Sequence, residues 1–245
     1  MNPRDVPIEG MVNVRDLGGF RTKTGQMTRY RVFLRGDAPY RISDRARQQS
    51  IDAGLTTVID MRYAHEVAQR PNRFAGQPQL DLHHVPLYVE TSYMGMIRQF
   101  RDLGGWYCTI VDQGGDPIRA IVAILAKAQA TSLLHCYIGK DRTGIMSALI
   151  LNLVGVADAD IIADYVESQQ NLKAIDADIQ STRPFFVPKA QFANIIAAKS
   201  EYITTLLSHL SLTYTDAAGY MRNIGVTEEE IAMIRNKLLG PAVVD

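Results

Sequence analysis

The sequence predicts an α/β fold: a central, mostly parallel sheet flanked by helices, with a helix-rich C-terminal half. Up to residue 144, short apolar or β-branched runs alternate with helical patterns, which is the order that builds parallel sheets. After residue 144, each periodic segment has the spacing of a helix. No linker rich in Gly, Ser or Pro separates the halves. We therefore expect one domain over 1–245, with a sheet-forming part (1–144) and a helical part (145–245) packed on it.

Four short runs of the first half are predicted strands, because they are apolar or β-branched and bounded by turn residues. They lie at 32–34, 56–60, 80–87 and 133–136. Helices are predicted between them at 43–53, 63–69 and 117–128. Ser43 suits the N-cap of the first helix, and Gly54 suits its C-terminal stop. The glycine-rich stretch 91–115 is ambiguous and fits a mobile segment with short helices.

The second half is predicted to contain five helices, at 145–154, 157–180, 188–210, 215–223 and 227–239. Asp158, Thr215 and Thr227 are suitable caps, and Gly225 and Gly240 mark breaks. The apolar segment 184–188, Pro-Phe-Phe-Val-Pro, is expected to be buried, as apolar residues usually are. Its alternative place is the rim of a binding site.

Composition narrows the class of protein. The chain is 47% hydrophobic and 21% charged with a net charge of zero, so its bulk electrostatics favour neither nucleic acid nor a membrane surface. Two cysteines make no disulfide framework, and no histidine has a zinc-like spacing to them, so no metal is expected. No signal peptide or membrane span is visible, which favours a cytoplasmic location and leaves secretion by another route open.

The segment 135–144, His-Cys-Tyr-Ile-Gly-Lys-Asp-Arg-Thr-Gly, carries the strongest chemical signal. It lies between a predicted strand and a predicted helix, so several backbone N–H groups at a helix N-terminus point at one place. The guanidinium of Arg142 can bind two oxygens of an anion there through two N–H groups. The same positive field favours the thiolate of Cys136. A nucleophile beneath a phosphate-sized cradle suits attack on phosphorus.

Cys, five residues, Arg and then Thr is also the signature of a known superfamily. The chain resembles the cysteine-dependent protein tyrosine phosphatases, in the bacterial and fungal branch related to dual-specificity and phosphoinositide phosphatases. The resemblance extends to 13–19 (Asn-Val-Arg-Asp-Leu-Gly-Gly), to 58–62 (Val-Ile-Asp-Met-Arg) with Glu66 after it, and to 225–230. It implies a metal- and cofactor-independent phosphatase acting on phosphorylated proteins or phosphoinositides.

The resemblance also implies roles for individual residues. Cys136 is the nucleophile, and Arg142 with Tyr137, Ile138, Gly139, Lys140 and Asp141 forms the loop that binds the substrate phosphate. Lys140 adds positive charge at the mouth, a feature that in the superfamily goes with multiply charged substrates. Supporting roles fall to His135, Thr143 and Asp60. The segment 13–19 is expected to pack beside the loop and brace it.

The general acid has more than one candidate in the sequence. A carboxylic acid must protonate the leaving oxygen, and the Trp-Pro-Asp segment of many superfamily members is absent, because Trp106 is followed by Tyr107. The resembled branch places an aspartate inside the loop, which is Asp141. Asp60 is the second candidate, and Asp112 and Asp116 are third.

Other readings explain the loop less well. A nucleotide-binding P-loop needs glycine at 134, which is Leu, and Ser or Thr at 141, which is Asp. A thioredoxin-type protein needs Cys-x-x-Cys, which is absent. Rhodanese-like sulfur transfer fits the loop sequence less well than phosphate chemistry. A catalytically silent phosphate-binding module is the main alternative. The oligomeric state and a redox role for Cys108 stay open.

Overall fold

The computed structural model describes residues 3–88 and 102–240. Five strands form one sheet in the order β1-β2-β5-β3-β4. The strands are β1 (Arg15–Asp16), β2 (Phe33–Gly36), β3 (Leu55–Asp60), β4 (Asp81–His84) and β5 (Thr131–His135). All neighbours are parallel except β1 and β2. The predicted α/β class is confirmed.

Eleven α-helices surround this sheet in the described part of the chain. They are α1 (Asp44–Asp52), α2 (Ala64–Gln69), α3 (Leu103–Gln113), α4 (Gly115–Lys127), α5 (Asp141–Leu153), α6 (Asp158–Asn171), α7 (Asp176–Ser181), α8 (Lys189–Ile196), α9 (Ser200–Tyr214), α10 (Ala217–Asn223) and α11 (Glu228–Leu239). A 3₁₀ turn, Leu172–Ile175, joins α6 to α7. Within the described ranges, no helix is long and apolar enough to cross a membrane.

The two faces of the sheet bury different side chains. Successive residues of a strand point to opposite faces, so Ile59 and Leu134 enter the larger core, while Val58 and Leu133 enter a smaller one beside α1. Because both faces are covered, the central strands are apolar throughout, which is typical of parallel strands. The carboxyl ends of three strands meet at one edge, where His135 pairs with Gly36 and with Asp60.

Two long predicted helices are interrupted. The helix predicted at 157–180 is divided into α6, the 3₁₀ turn and α7. The helix predicted at 188–210 ends at Ile196, because Ala197 takes an extended conformation. The freed backbone groups have partners elsewhere: Ala198 N–H donates to the Gln169 side chain at 2.7 Å, and Ala197 C=O accepts from Lys140 at 3.2 Å. Tertiary hydrogen bonds therefore override a helical pattern that contains neither Gly nor Pro at the break.

Three smaller expectations differ from the structure. Thr215 ends α9 with a φ of 74°, and Asp216 caps α10 by accepting from Gly219 N–H at 2.7 Å. Ala157, not Asp158, is the N-cap of α6. In the segment 184–188, Phe185 is 93% exposed while Val187 is buried. The expected burial of this segment is therefore wrong for its phenylalanines, since Val187 alone of the three apolar residues enters the core cluster there. The prediction for 91–115 is confirmed in part by α3, and 91–101 lies outside the described residues.

Candidate active site

The loop 136–140 connects the end of β5 to the start of α5. Cys136 is 2% exposed and begins this loop. Gly139 has a φ of +71°, and a Cβ atom there would lie 2.4 Å from the Gly36 carbonyl oxygen. Both the dihedral angle and the close approach require glycine. Gly139 therefore lets the chain turn sharply into the N-terminus of α5.

The segment 13–19 packs against the back of this loop, as expected. The Asn13 side-chain amide donates to the carbonyl oxygens of Ile138 at 3.0 Å and Gly139 at 3.2 Å. Arg35 of β2 also donates to the Gly139 carbonyl, at 2.8 Å. These bonds hold the loop carbonyls outward. Backbone N–H groups of the same turn are then left for an anion inside it.

One buried carboxylate anchors the brace. Asp164 of α6 accepts from Arg4 at 2.7 Å and from Arg15 at 2.9 Å, and it also pairs with Arg35. Burial alone would raise the pKa of Asp164, but the charges of Arg15, Arg35 and Arg4 together hold it well below its usual range. Neither Arg35 nor Asp164 stood out in the sequence, because the contact joins elements far apart along the chain.

Arg142 is held in place by a carboxylate on α2. Glu66 accepts from its two terminal nitrogens at 2.6 and 2.9 Å, and the Met61 carbonyl accepts at 3.3 Å. The guanidinium lies 4.7 Å from the centre of the Tyr63 ring. Burial alone would lower the pKa of Arg142, but Glu66 and the Cys136 sulfur raise it, so the cation persists. Glu66 carried no assigned role in the sequence, although it belongs to the 58–66 resemblance.

His135 lies fully buried beneath the nucleophile. Its Nδ1 lies 3.1 Å from the Cys136 carbonyl oxygen, and its Nε2 lies 3.0 Å from the Asn72 amide nitrogen. Since a carbonyl only accepts, Nδ1 carries the proton and Nε2 accepts from Asn72. Burial lowers the pKa of His135, which favours this neutral form. The geometry gives His135 a role in supporting the loop.

Asp60 forms a buried ion pair. Its carboxylate accepts from Arg62 Nε at 2.8 Å and from the terminal nitrogen at 2.6 Å, and from Asn72 at 3.1 Å. Burial alone would raise the pKa of Asp60, but the hydrogen bonds and the charge of Arg62, together with the Asn72 hydrogen bond, hold it below its usual range. A carboxylate so fully satisfied is a poor proton donor, which weakens Asp60 as a candidate acid.

Asp141 sits at the start of α5 with 30% of its side chain exposed. One of its oxygens accepts from the Tyr107 hydroxyl and lies 3.1 Å from the Lys140 ammonium. Tyr107 in turn lies 2.7 Å, oxygen to oxygen, from Tyr165. The ammonium of Lys140 is fully buried and donates to the carbonyl oxygens of Ile195 and Ala197. It therefore points away from the mouth at which the sequence placed its charge.

The chain matches the tyrosine phosphatase family over residues 6–240. It belongs to that family. It is 28% identical to a tyrosine-protein phosphatase of Nostoc commune, over 84% of this chain and 74% of that protein. It is 26% identical to the triple specificity protein phosphatase PtpB of Mycobacterium tuberculosis, over 98% of this chain and 100% of that protein. The protein is a hydrolase of the protein-tyrosine-phosphatase type.

The chain also shows a weaker likeness to solved structures. The core catalytic domain of the PP-IP phosphatase SIW14 of S. cerevisiae shares 13% sequence identity and a TM-score of 0.38, covering 76% of this chain and 93% of that one. The P. aeruginosa protein TpbA shares 13% identity and a TM-score of 0.36, covering 71% of this chain and 86% of that one.

Three further residues of the segment 135–144 of this phosphatase have distinct surroundings. Tyr137 is half-buried, and the guanidinium of Arg70 lies 5.1 Å from the centre of its ring. Ile138 packs against the apolar cluster around the 3₁₀ turn. Thr143 is buried, and its hydroxyl has no hydrogen-bond partner among the described residues. An unpartnered buried hydroxyl is costly, which is typical of a functional position.

The remaining candidate residues lie apart from the loop of the phosphatase. Asp112, on α3, accepts from His209 at 2.7 Å and from Tyr214 at 2.8 Å, and Asp116 is exposed in the first turn of α4. Neither contacts a residue of 136–142 in the described structure. Cys108 is a free thiol whose pKa is raised to about 11 by burial and then by Asp112 and Asp102. A thiol in that environment is a weak nucleophile.

Proposed function

We propose that this phosphatase hydrolyses phosphate monoesters through a phosphocysteine intermediate. The observation that carries the proposal is the pairing of Glu66 with Arg142 beside the buried Cys136. The carboxylate uses one N–H of each terminal nitrogen, which leaves the Nε edge of the guanidinium for two oxygens of a phosphate. A fixed cation beside a nucleophile at a helix N-terminus stabilises the charge of a transferring phosphoryl group.

The first chemical step transfers the phosphoryl group to the enzyme. The Cys136 thiolate attacks phosphorus, an S–P bond forms, and the bond to the leaving oxygen breaks. Asp141 gives its proton to that oxygen, which leaves as an alcohol or phenol. The backbone N–H groups of 137–142 and the guanidinium of Arg142 hold the three equatorial oxygens during the transfer.

The second step returns the enzyme to its starting state. Asp141, now ionised, accepts a proton from water as the water oxygen attacks phosphorus. The S–P bond breaks, inorganic phosphate leaves, and the thiolate is restored. The unpartnered hydroxyl of Thr143 supports a role in stabilising the departing sulfur by donating to it.

For the substrate, we propose protein phosphotyrosine, with dual-specificity or phosphoinositide activity as the extension. Support comes from relatives described as a tyrosine-protein phosphatase and as a triple specificity protein phosphatase. The ranking of substrates in a matched assay decides between protein and lipid.

The test is phosphate release, with a metal chelator present, from matched panels of phosphotyrosine peptides, phosphoserine and phosphothreonine peptides, and phosphoinositides. Cys136→Ser is expected to abolish release while retaining phosphate binding, and Cys108→Ser is the matched control that keeps full activity. Appreciable release by folded Cys136→Ser contradicts the nucleophile assignment. Absence of release by the folded native protein on every panel favours a phosphate-binding module without turnover.

A further inference from the structure

The carboxyl group of Asp141 is approached from one side only by described hydrogen-bond donors. Tyr107 and Lys140 both act on its Oδ1, and neither is exposed. The Asp141 side chain itself remains 30% exposed. Because both contacts are made to Oδ1, the carboxyl group is held in one orientation. Oδ2 is then the oxygen that remains for another partner.

The contacts of Lys140 hold its ammonium group on the side of α8. The ammonium donates to Ile195 C=O and to Ala197 C=O at 3.2 Å, and it forms an ion pair with Asp141 Oδ1 at 3.1 Å. The two carbonyls lie at the C-terminal end of α8, where a cation is favoured by the helix dipole. The side chain is fully buried, so its ammonium is directed at α8 and Asp141 rather than at the mouth of the loop.

The hydroxyl group of Tyr107 can donate only one hydrogen bond. Its phenol has one proton, and an ionised carboxylate can only accept, so that proton points at Asp141. Tyr165, whose hydroxyl oxygen lies 2.7 Å away, must then donate to Tyr107. Burial, Asp141 and Tyr165 raise the pKa of Tyr107 well above its ordinary value, which keeps this donor protonated. Because the Tyr107 hydroxyl donates to Oδ1 and the Lys140 ammonium lies 3.1 Å from the same oxygen, any proton that Asp141 carries is on Oδ2.

We propose that Tyr107 and Lys140 are positioning residues that orient Asp141 and make Oδ2 its proton-donating atom. Lys140 then contributes its backbone N–H to the phosphate cradle, while its side chain serves the acid rather than the substrate. This inference rests on the proposed function, in which Asp141 protonates the leaving oxygen. It assigns the loop lysine a role independent of how many charges the substrate carries.

The effect of Tyr107 on Asp141 is one of position. Tyr107 on α3 donates to Asp141 Oδ1, and the neighbouring Lys140 pairs with the same oxygen. Removing the Tyr107 hydroxyl takes away the hydrogen bond that holds the carboxyl group, which loosens the geometry of proton transfer to the leaving oxygen.

The experiment compares Tyr107→Phe with Tyr220→Phe, a buried tyrosine whose hydroxyl donates to the Val111 carbonyl at 2.7 Å. With Tyr107→Phe, kcat is expected to fall by about tenfold for alkyl phosphates, a fraction of the full value of an acid. It is expected to change little for aryl phosphates with good leaving groups. Tyr220→Phe is expected to leave the leaving-group dependence of kcat unchanged.

A double-mutant cycle separates positioning from a structural role. In an Asp141→Asn background, Tyr107→Phe is expected to have no further effect on kcat, because its action passes through the missing carboxyl. Equal losses in both backgrounds, or an equal loss on alkyl and aryl phosphates, overturn the inference. Failure of the proposed function is distinguishable, because native enzyme then shows no Cys136-dependent release at all.

Lys140 is tested by substrate charge. Lys140→Met is expected to lower kcat/KM by the same factor for singly and doubly phosphorylated substrates of one scaffold. A selective loss on the doubly phosphorylated substrate overturns the assignment, because it means that the ammonium contacts the second phosphate. If this variant does not fold, Lys140→Gln, which keeps two donors, is measured on the same pair.

Discussion

Glu66 and Arg142 face each other through two nearly parallel hydrogen bonds of 2.6 and 2.9 Å. The same Glu66 carboxylate also accepts from Tyr63 N–H at 2.7 Å, so it closes the first turn of α2 while it holds the guanidinium. The short helix after β3 is thereby tied to the loop after β5. The orientation of the cation depends on this carboxylate.

Glu66→Gln is therefore expected to lower kcat/KM by roughly 10- to 100-fold, as small misplacements of a positioning group do. The amide can accept from only one nitrogen of Arg142, so the guanidinium gains freedom to rotate away from the phosphate. Steady-state kinetics on an aryl phosphate measure the effect. Gln69→Ala, at an exposed position of the same helix, is the control. If the Glu66→Gln enzyme is as active as this control, Glu66 does not position Arg142 for catalysis.

Asp141→Asn tests the acid. Removing the Asp141 proton donor is expected to lower kcat for alkyl phosphates by roughly 10²- to 10⁴-fold. The decrease in kcat is expected to be far smaller for aryl phosphates with good leaving groups, because only poor leaving groups need the proton. A leaving-group series of kcat values gives the slope. Asp112→Asn and Asp116→Asn, at positions apart from the loop, are expected to keep the native slope. An equal loss across the series for Asp141→Asn counts against its role.

Gly139→Ala is expected to inactivate the enzyme and destabilise it by more than the about 1–3 kcal/mol that a strained backbone conformation costs. The new Cβ would meet Gly36 backbone at 2.4 Å as well as adopt a φ of +71°. Gly25→Ala is a matched control, because Gly25 has a φ of +88° with nothing within 4 Å of the added atom. Urea unfolding and phosphate release of both variants measure the difference. Equal destabilisation by the two substitutions refutes the close-contact argument.

Asp164 predicts a loss of stability in acid. Its arginine partners hold its pKa well below the ordinary Asp value of about 3.9. The unfolded chain therefore takes up the proton first, and the free energy of unfolding falls as the pH drops through that ordinary value and below it. Urea unfolding measured from pH 7 downward follows this loss.

Asp164→Asn is expected to cost about 3–5 kcal/mol at neutral pH, because it removes the carboxylate that pairs with buried Arg35 and the nearer of the two carboxylates that pair with buried Arg15. Glu167→Gln, which breaks a more exposed contact with Arg4, is the control and is expected to cost about 1 kcal/mol or less. A stability of Asp164→Asn close to that of Glu167→Gln argues that Asp164 is not the anchor of the brace.

Local chemistry made much of the fold predictable. Ser43 accepts from Ala46 N–H at 3.1 Å, and Thr227 forms a capping box with Glu230, as their positions in the sequence indicated. The β-branched run before Asp60 and the run before Cys136 are both strands of the sheet. These features depend on neighbours within a few residues, which a sequence displays directly.

Long-range contacts were not predictable in the same way. The sequence marked Tyr107 only as the residue after Trp106, yet its hydroxyl reaches Asp141. It marked Lys140 as a charge at the mouth, yet the C-terminal end of α8 takes up its ammonium. No local pattern indicates that α8 ends at Ile196, or that the Ile195 carbonyl accepts from a lysine 55 positions earlier.

The ion pairs that Asp164 forms with three arginines also affect when the chain can fold during synthesis. Arg4, Arg15 and Arg35 precede their shared partner by 160, 149 and 129 residues. At about 5–20 residues per second of synthesis, the nascent chain carries these cations for on the order of ten seconds before the carboxylate appears. Burying unpaired guanidinium groups costs several kcal/mol, so we expect β1 and β2 to stay unfolded during that interval. We expect translation arrested before α6 to yield a protease-sensitive chain, and completion of α6 to mark the onset of resistance.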